Sequence, residues 1–180
     1  MVTRNHVFVD ETKRHNYLLV AGALVSGSQA DLRQELRSLI LPGQRSLHMK
    51  DERDSRKHAI ADVIAQSNVE AVVYDAGMRF GSEAHRRAAC FRALVEDIAA
   101  RDGETQLVID RDDSLVQRDK QCLIEYSRAT GCQGSLLYQH QKPAQELLLV
   151  VPDAIAWCWA KGGHWRQRIR PVVSTVRTLT

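Results

Sequence analysis

The sequence predicts an α/β fold, a mixed central sheet that opens with an antiparallel hairpin and is flanked by helices. Two β-prone runs stand close together at the start of the chain, and helix-like and strand-like stretches alternate after them. Such alternation implies a sheet covered by helices. The chain has 180 residues and no internal repeat, low-complexity tract or dividing linker, so residues 1–180 read as one domain.

The elements follow in order. His6, Val7, Phe8 and Val9 make a short β-prone run that ends in Asp10 and Glu11. Residues 16–25 make a second run, and Thr12-Lys13-Arg14-His15 is short enough to join the two as a hairpin. Ser28 reads as a helix N-cap, with Asp31 in the capping-box position. Leu32, Leu36, Leu39 and Ile40 recur at helical spacing until Pro42-Gly43. Residues 46–49 read as a short extended piece and residues 50–56 as a charged segment. Ile60, Val63 and Ile64 mark an amphipathic helix that ends near Ser67-Asn68. Residues 69–74 read as a strand, with Asp75 in an Asp-Ala-Gly turn after it. Residues 83–101 form the longest helix, with Ala88, Phe91, Leu94, Val95 and Ile98 on one face. Residues 105–109 are a strand ending in Asp110, residues 115–127 a helix, and residues 135–139 a short strand. Residues 152–161 are the final helix, with Pro152 at its first position and Gly162-Gly163 at its end.

Composition narrows the class. No apolar run reaches the ~18 residues needed to span a bilayer, and Met1-Val2-Thr3-Arg4 leads into the first strand without a signal-peptide core. The expected setting is cytoplasmic, with no membrane contact. Cys90, Cys122, Cys132 and Cys158 form no CxxC pair and read as free thiols, two of them among apolar neighbours. No P-loop, dinucleotide fingerprint or nucleophile elbow is present. Net charge is +3, but it is unevenly placed. Residues 154–180 carry Lys161, Arg166, Arg168, Arg170 and Arg177 and no acid, whereas the rest has 20 basic and 22 acidic residues. A basic C-terminal extension from about residue 164 on a near-neutral body fits a polyanion contact, or else a solvated charged face.

Acids sit where elements end. Asp10, with Glu11 beside it, ends the first strand, Asp110 ends a later one, and Asp153 lies in the first turn of the last helix. Acids so placed can converge on one edge of a sheet. Mg²⁺ or Mn²⁺ held there would activate water and stabilise a leaving oxygen in phosphodiester cleavage. Each acid also has an ordinary reading: Asp10 and Glu11 as the opening of a turn, Asp110 as part of a solvated loop with Asp112 and Asp113, Asp153 as a partner of the helix dipole.

Four segments, in order, resemble the domain of unknown function 3800 family: HVFVDET…YLLVAGALV, LHMKDERDSR, LVIDRDD and LLLVVPDAIAWCWAKG. The closing Asp-Ala-x-Ala is also similar to that of RuvC-type resolvases. The resemblance spans residues 7–163. It implies an RNase H-like fold and a metal-dependent nuclease site, with Asp10, Glu11, Asp110 and Asp153 as the acids and His48 and Lys50 as secondary polar members. Pro152 before Asp153 departs from that pattern and implies that the helix starts later here.

His48 could protonate a leaving oxygen or orient a phosphate, or bond backbone at a strand edge. Lys50 could neutralise phosphate, or pair with Asp51 and Glu52. Glu146 reads as a loop acid rather than a metal-shell carboxylate. Of the late aromatics, Trp157 reads as core, and Trp165, beside Arg166 and Arg168, as the one placed to stack on a base. Lys50, Lys161, Trp165, Arg166 and Arg168 are therefore the expected nucleic-acid contacts. A second reading keeps the fold without the chemistry: a catalytically inactive binding or regulatory module of a mobile-element or defence system, with its acids splayed apart or neutralised, for instance Asp110 by Arg111.

Overall fold

The computed structural model describes residues 3–24 and 27–180. Strand β1 (Arg4–Thr12) and β2 (Tyr17–Leu24) form the expected antiparallel hairpin. Val25, the last residue of the second β-prone run, lies outside the described residues. Helices α1 (Ser28–Ser38) and α2 (Asp54–Ala65) follow, then β3 (Glu70–Gly77), α3 (Glu83–Ala99), β4 (Glu104–Asp110), α4 (Val116–Thr130), β5 (Leu136–Gln141), α5 (Val150–Lys161), α6 (Gly163–Ile169) and β6 (Val173–Thr178). Among the described residues six strands form one sheet in the order β5-β4-β1-β2-β3-β6. The pairs β1–β4, β4–β5 and β3–β6 are parallel, and β1–β2 and β2–β3 are antiparallel. The sheet is mixed, as the sequence predicts.

Side-chain alternation along the strands divides the core in two. Phe8, Leu18, Val20, Val73 and Val108 face one way and pack with residues of α1, α2, α5 and α6. Val9, Leu19, Tyr74, Leu107 and Ile109 face the other way and pack with α3 and α4 through Phe91, Leu94, Val95 and Leu123. Gly22 on β2 lies directly under α5. A Cβ there would come within 3.3 Å of Val151 Cγ1, so the missing side chain lets the helix settle against the sheet.

Several boundaries differ from the sequence reading. Ser28 is the first residue of α1 rather than its cap; Gly27, at φ 101°, takes the cap position. Residues 46–48 carry no strand, and a 3₁₀ turn, Met49–Asp51, follows them. β3 runs through Asp75 to Gly77: the Asp75 carboxylate accepts from the Gly77 N–H, as in a turn, yet the backbone keeps its pairing with Leu18 and Thr178. Helix α5 begins at Val150, after a 3₁₀ turn over Leu147–Leu149, and not at Pro152. Proline is tolerated there because the first turn of a helix has no partner for its N–H groups. The largest difference is at the C-terminus, where the basic segment is not an appendage. It folds as α6 and β6, and β6 extends the sheet parallel to β3.

Among the described residues no helix is long and apolar enough to cross a membrane. The four cysteines are free, and burial pushes the Cys90 and Cys158 thiols up to about 12.

Candidate functional site

Strand register brings two of the acids together. Val9 pairs with Ile109 in the parallel β1–β4 ladder, so one step further Asp10 lies beside Asp110. Asp110 ends β4, whereas Asp10, expected to end β1, is the point where β1 parts from β4 and runs on with β2 to Thr12. Neighbouring strands lie only ~4.8 Å apart. Asp10 shares the face of Phe8, and Asp110 that of Val108, which is the face covered by α5. Asp153 comes down from the first turn of α5 onto the same strand ends. Gln141, paired with Asp110 across the β4–β5 ladder, continues the row. Its Oε1 is buried without a hydrogen-bond partner.

The segment before α2 closes the site from above. The Met49 N–H donates to Asp153 Oδ2 at 2.8 Å, and His48 Nδ1 lies 3.3 Å from Asp153 Oδ1. That approach brings opposite charges close when His48 is protonated, but it forms no hydrogen bond, and the His48 Nδ1 atom is buried and unpartnered. A cavity of about 280 Å³ opens here, lined by Asp10, Glu11, His48, Lys50, Asp153 and Trp157, with Thr12 and Lys13 at its edge.

The three aspartates repel one another. Burial pushes the Asp10 carboxyl well above the ordinary carboxylate range, and the charges of Asp153, Asp110 and Glu11 push it further. Asp110 is raised by burial and by Glu11, and held back by His48 and Lys142. Asp153 is raised by burial, lowered by His48 and the Met49 N–H, and raised again by Asp110. Buried like charges of this kind are relieved by a cation.

Glu11 is handled differently. Its carboxylate is bound by Arg87 of α3, Nη1 to Oε2 at 2.8 Å. The Arg87 guanidinium also grips Asp119 of α4 with two bonds of 2.7 and 2.8 Å and reaches the Tyr17 hydroxyl. His140 Nε2 meets the same Asp119 carboxylate at 2.9 Å. Arg87 and Asp119 are buried, and this network lies on the α3–α4 side of the sheet. The suspected neutraliser, Arg111, instead pairs with Asp113 at 2.7 Å. Glu146 caps the 3₁₀ turn before α5 and pairs with Arg33, as a structural acid would.

The expected nucleic-acid contacts divide. Lys50 is exposed at the cavity and Lys161 is exposed near it. Trp165 is a correction: it is buried, stacked on His58 at 4.2 Å and edge-on to Trp157 at 5.0 Å, so its ring is not open to a base. The reason is that α6 packs its Trp165 and Ile169 side against α2 and α5. Trp157, expected in the core, is instead half-buried and lines the cavity. Arg166 is turned back to the Trp159 carbonyl, and Arg168 pairs with Asp62.

The oxygen-rich set suits a hard cation. Asp10, Asp110 and Asp153 supply carboxylates, and Gln141, whose Oε1 is unpartnered, is the ladder neighbour of Asp110. Among the described residues no three or more His, Cys, Asp and Glu side chains close tightly enough to cage an ion by themselves. Mg²⁺ does not require that, since it keeps several waters and takes only one or two carboxylates.

Sequence reasoning missed Arg87, Asp119, His140, Gln141 and Lys57. The first two left a trace: Arg87 lies one turn before Phe91 on the apolar side of α3, and Asp119 one turn before Leu123 on that of α4. Charged residues at core-facing helical positions are rarely buried unless paired.

No protein-family model and no curated protein sequence matches the chain. Among solved structures, it is similar to a chain of the PCNA:RNase HII complex from Archaeoglobus fulgidus, with a TM-score of 0.58 and 13% sequence identity over 95% of this chain and 79% of that one. At that identity the likeness establishes the fold, which is RNase H-like.

Proposed function

We propose that the protein is a divalent-metal-dependent nuclease that hydrolyses phosphodiester bonds. The observation that carries the reading is the meeting of Asp10, Asp110 and Asp153, drawn from β1, β4 and α5 to one end of the sheet. The RNase H-like fold agrees with it, since the similar solved chain belongs to an RNase HII complex.

In this proposal Asp10, Asp110 and Asp153 hold Mg²⁺ or Mn²⁺. When bound, the ion supplies a Lewis acid and an activated water. Asp153 is oriented by the Met49 N–H. His48, beside Asp153, is the group placed to move a proton to the leaving oxygen. Glu11 borders the cavity, but its carboxylate is bound by Arg87 on the α3 side of the sheet. Lys50 and Lys13 at the cavity edge take phosphate charge.

One observation favours the second reading, a non-catalytic nucleic-acid-binding module of the same fold: Arg87 already neutralises Glu11. A single assay separates the two. Single-stranded DNA, single-stranded RNA and RNA–DNA hybrid are incubated with Mg²⁺ or Mn²⁺. Cleavage by the wild type that Asp10→Asn abolishes, with the circular dichroism spectrum unchanged, supports the nuclease. Activity surviving Asp10→Asn, or no cleavage with either metal, overturns it.

A further inference from the structure

Helix α5 brings a second side chain to the cavity one turn beyond Asp153. Trp157 lies four residues on, which puts it on the same face of the helix. It lines the cavity that holds Asp10 and Asp153. The ring is rigidly backed: Trp165 meets it edge-on at 5.0 Å and 89°, and Trp165 is itself stacked on His58 at 4.2 Å and 12°. Support of this kind on a half-buried indole is what a stacking platform requires, because the ring keeps its orientation without a ligand.

Cations flank the same ring. Lys57 Nζ lies 4.7 Å from its centroid and Lys161 Nζ 6.0 Å. The Lys57 side chain is only 12% exposed, and its acidic neighbour is Asp54, 3.8 Å away and 81% exposed. A pair with so exposed a carboxylate contributes little. An anion beside Trp157 would compensate the ammonium better. Lys50 lines the same cavity, and Lys13, at its edge, is paired with Glu83 at 3.1 Å.

An aromatic ring and weakly paired ammonium groups next to the proposed phosphodiester site fit one ligand chemistry, a nucleoside joined to phosphates. We propose that Trp157 is the stacking platform for a nucleotide adjoining the scissile phosphate, with Lys57 and Lys161 contacting the neighbouring phosphates of that strand. The inference rests on the nuclease reading for its placement but predicts binding that needs no catalysis.

The test is fluorescence anisotropy with short labelled single-stranded DNA and RNA, in EDTA so that no cleavage occurs. Trp157→Ala weakens binding about tenfold or more, as loss of one base–aromatic stack does. Trp157→Phe retains most of it and guards against a folding defect. Trp159→Ala, whose ring lies under Arg166, leaves it unchanged. Lys57→Gln lowers the slope of log affinity against log salt by about one phosphate contact. Wild-type tryptophan emission is quenched by oligonucleotide, and Trp157→Phe loses most of that quench. Equal binding by wild type and Trp157→Ala overturns the inference, as does a wild type that binds neither probe. Binding that depends on Trp157 without metal-dependent cleavage overturns the nuclease reading and leaves the platform standing.

Discussion

Asp10 and Glu11 are consecutive residues whose carboxylates leave β1 on opposite faces of the sheet. Asp10 turns to Asp153 under α5, while Glu11 pairs with Arg87 of α3 at 2.8 Å. Strand alternation forces this division. It gives the two acids different electrostatic lives: Asp10 is surrounded by like charge, and Glu11 meets a guanidinium that Asp119 holds in place. The strand ends are therefore charged under α5 and neutralised under α3.

Neutralising Asp10 should stabilise the metal-free fold. Its folded carboxyl is raised by burial and then by the nearby acids, so the ionised form is the unfavourable one. Asp10→Asn keeps an oxygen for the Glu11 N–H, which bonds Asp10 Oδ1 at 2.7 Å. We expect a gain of roughly 1 kcal/mol near neutral pH, about 2–4 °C in Tm for a chain of this length. The sign follows from linkage: the gap to wild type widens as pH rises above the ordinary carboxylate range and closes below it. Thermal melts in EDTA across pH measure it, and a lower Tm for the variant at neutral pH contradicts the site's self-repulsion.

Divalent metal should reverse that order. An ion that binds only the folded wild type at a hundredfold its Kd contributes about 2.7 kcal/mol, or roughly 5–10 °C. Asp10→Asn and Asp153→Asn should lose most of the shift with Mg²⁺ and with Mn²⁺. Equal shifts in all three proteins would place the binding elsewhere.

Arg87 should matter more to folding than any other charged residue. Its removal leaves Glu11 and Asp119 without their shared cation in a buried setting. Breaking a buried pair by deleting one partner costs about 3–5 kcal/mol, a Tm loss of roughly 6–20 °C. Urea unfolding of Arg87→Ala checks the size, and a loss below about 1 kcal/mol would mean that the network is not a structural one.

The same network predicts acid sensitivity. Burial pushes Asp119 upward, but the hydrogen bonds from Arg87 and His140 outweigh it and hold the carboxyl below its ordinary value. A depressed folded pKa contributes stability that is present above the unfolded value, ~3.9, and is lost as pH falls through the lower folded one. Wild type should therefore weaken more steeply than Asp119→Asn below about pH 4. Parallel urea midpoints for the two proteins in that range would remove Asp119 as the cause.

Much of this was legible in the sequence for a physical reason. Strand periodicity and the Asp-Glu pair late in β1 are local signals, so the hairpin and the placing of Asp110 at the end of β4 follow from residues near one another, although β1 itself runs on to Thr12. The register that sets Asp10 beside Asp110 is a long-range pairing and has no local mark. β6 was hidden because Val173 and Val176 stand among Ser, Thr and Arg in a strand that is largely exposed at the sheet edge, with no apolar alternation to announce it. The tryptophans exchanged roles because α6 was not foreseen: once that helix packs on α2 and α5, Trp165 is enclosed and Trp157 is left at the cavity.

The seating of α5 gives the last prediction. Helix α5, which carries Asp153, lies close over β2 at Gly22. A methyl group at Gly22 meets Val151 Cγ1 at 3.3 Å, so the helix or the valine must give way. Gly22→Ala should cost about 1–3 kcal/mol as an overpacked contact and weaken the Tm response to Mn²⁺, because Asp153 moves with the helix. Val151→Ala removes the opposing methyl and opens a small cavity of its own. Together the two changes should be less damaging than the sum of the single ones, a coupling of about 0.5–3 kcal/mol in a double-mutant cycle. Additive losses would mean that the contact between Gly22 and Val151 does not set the helix position.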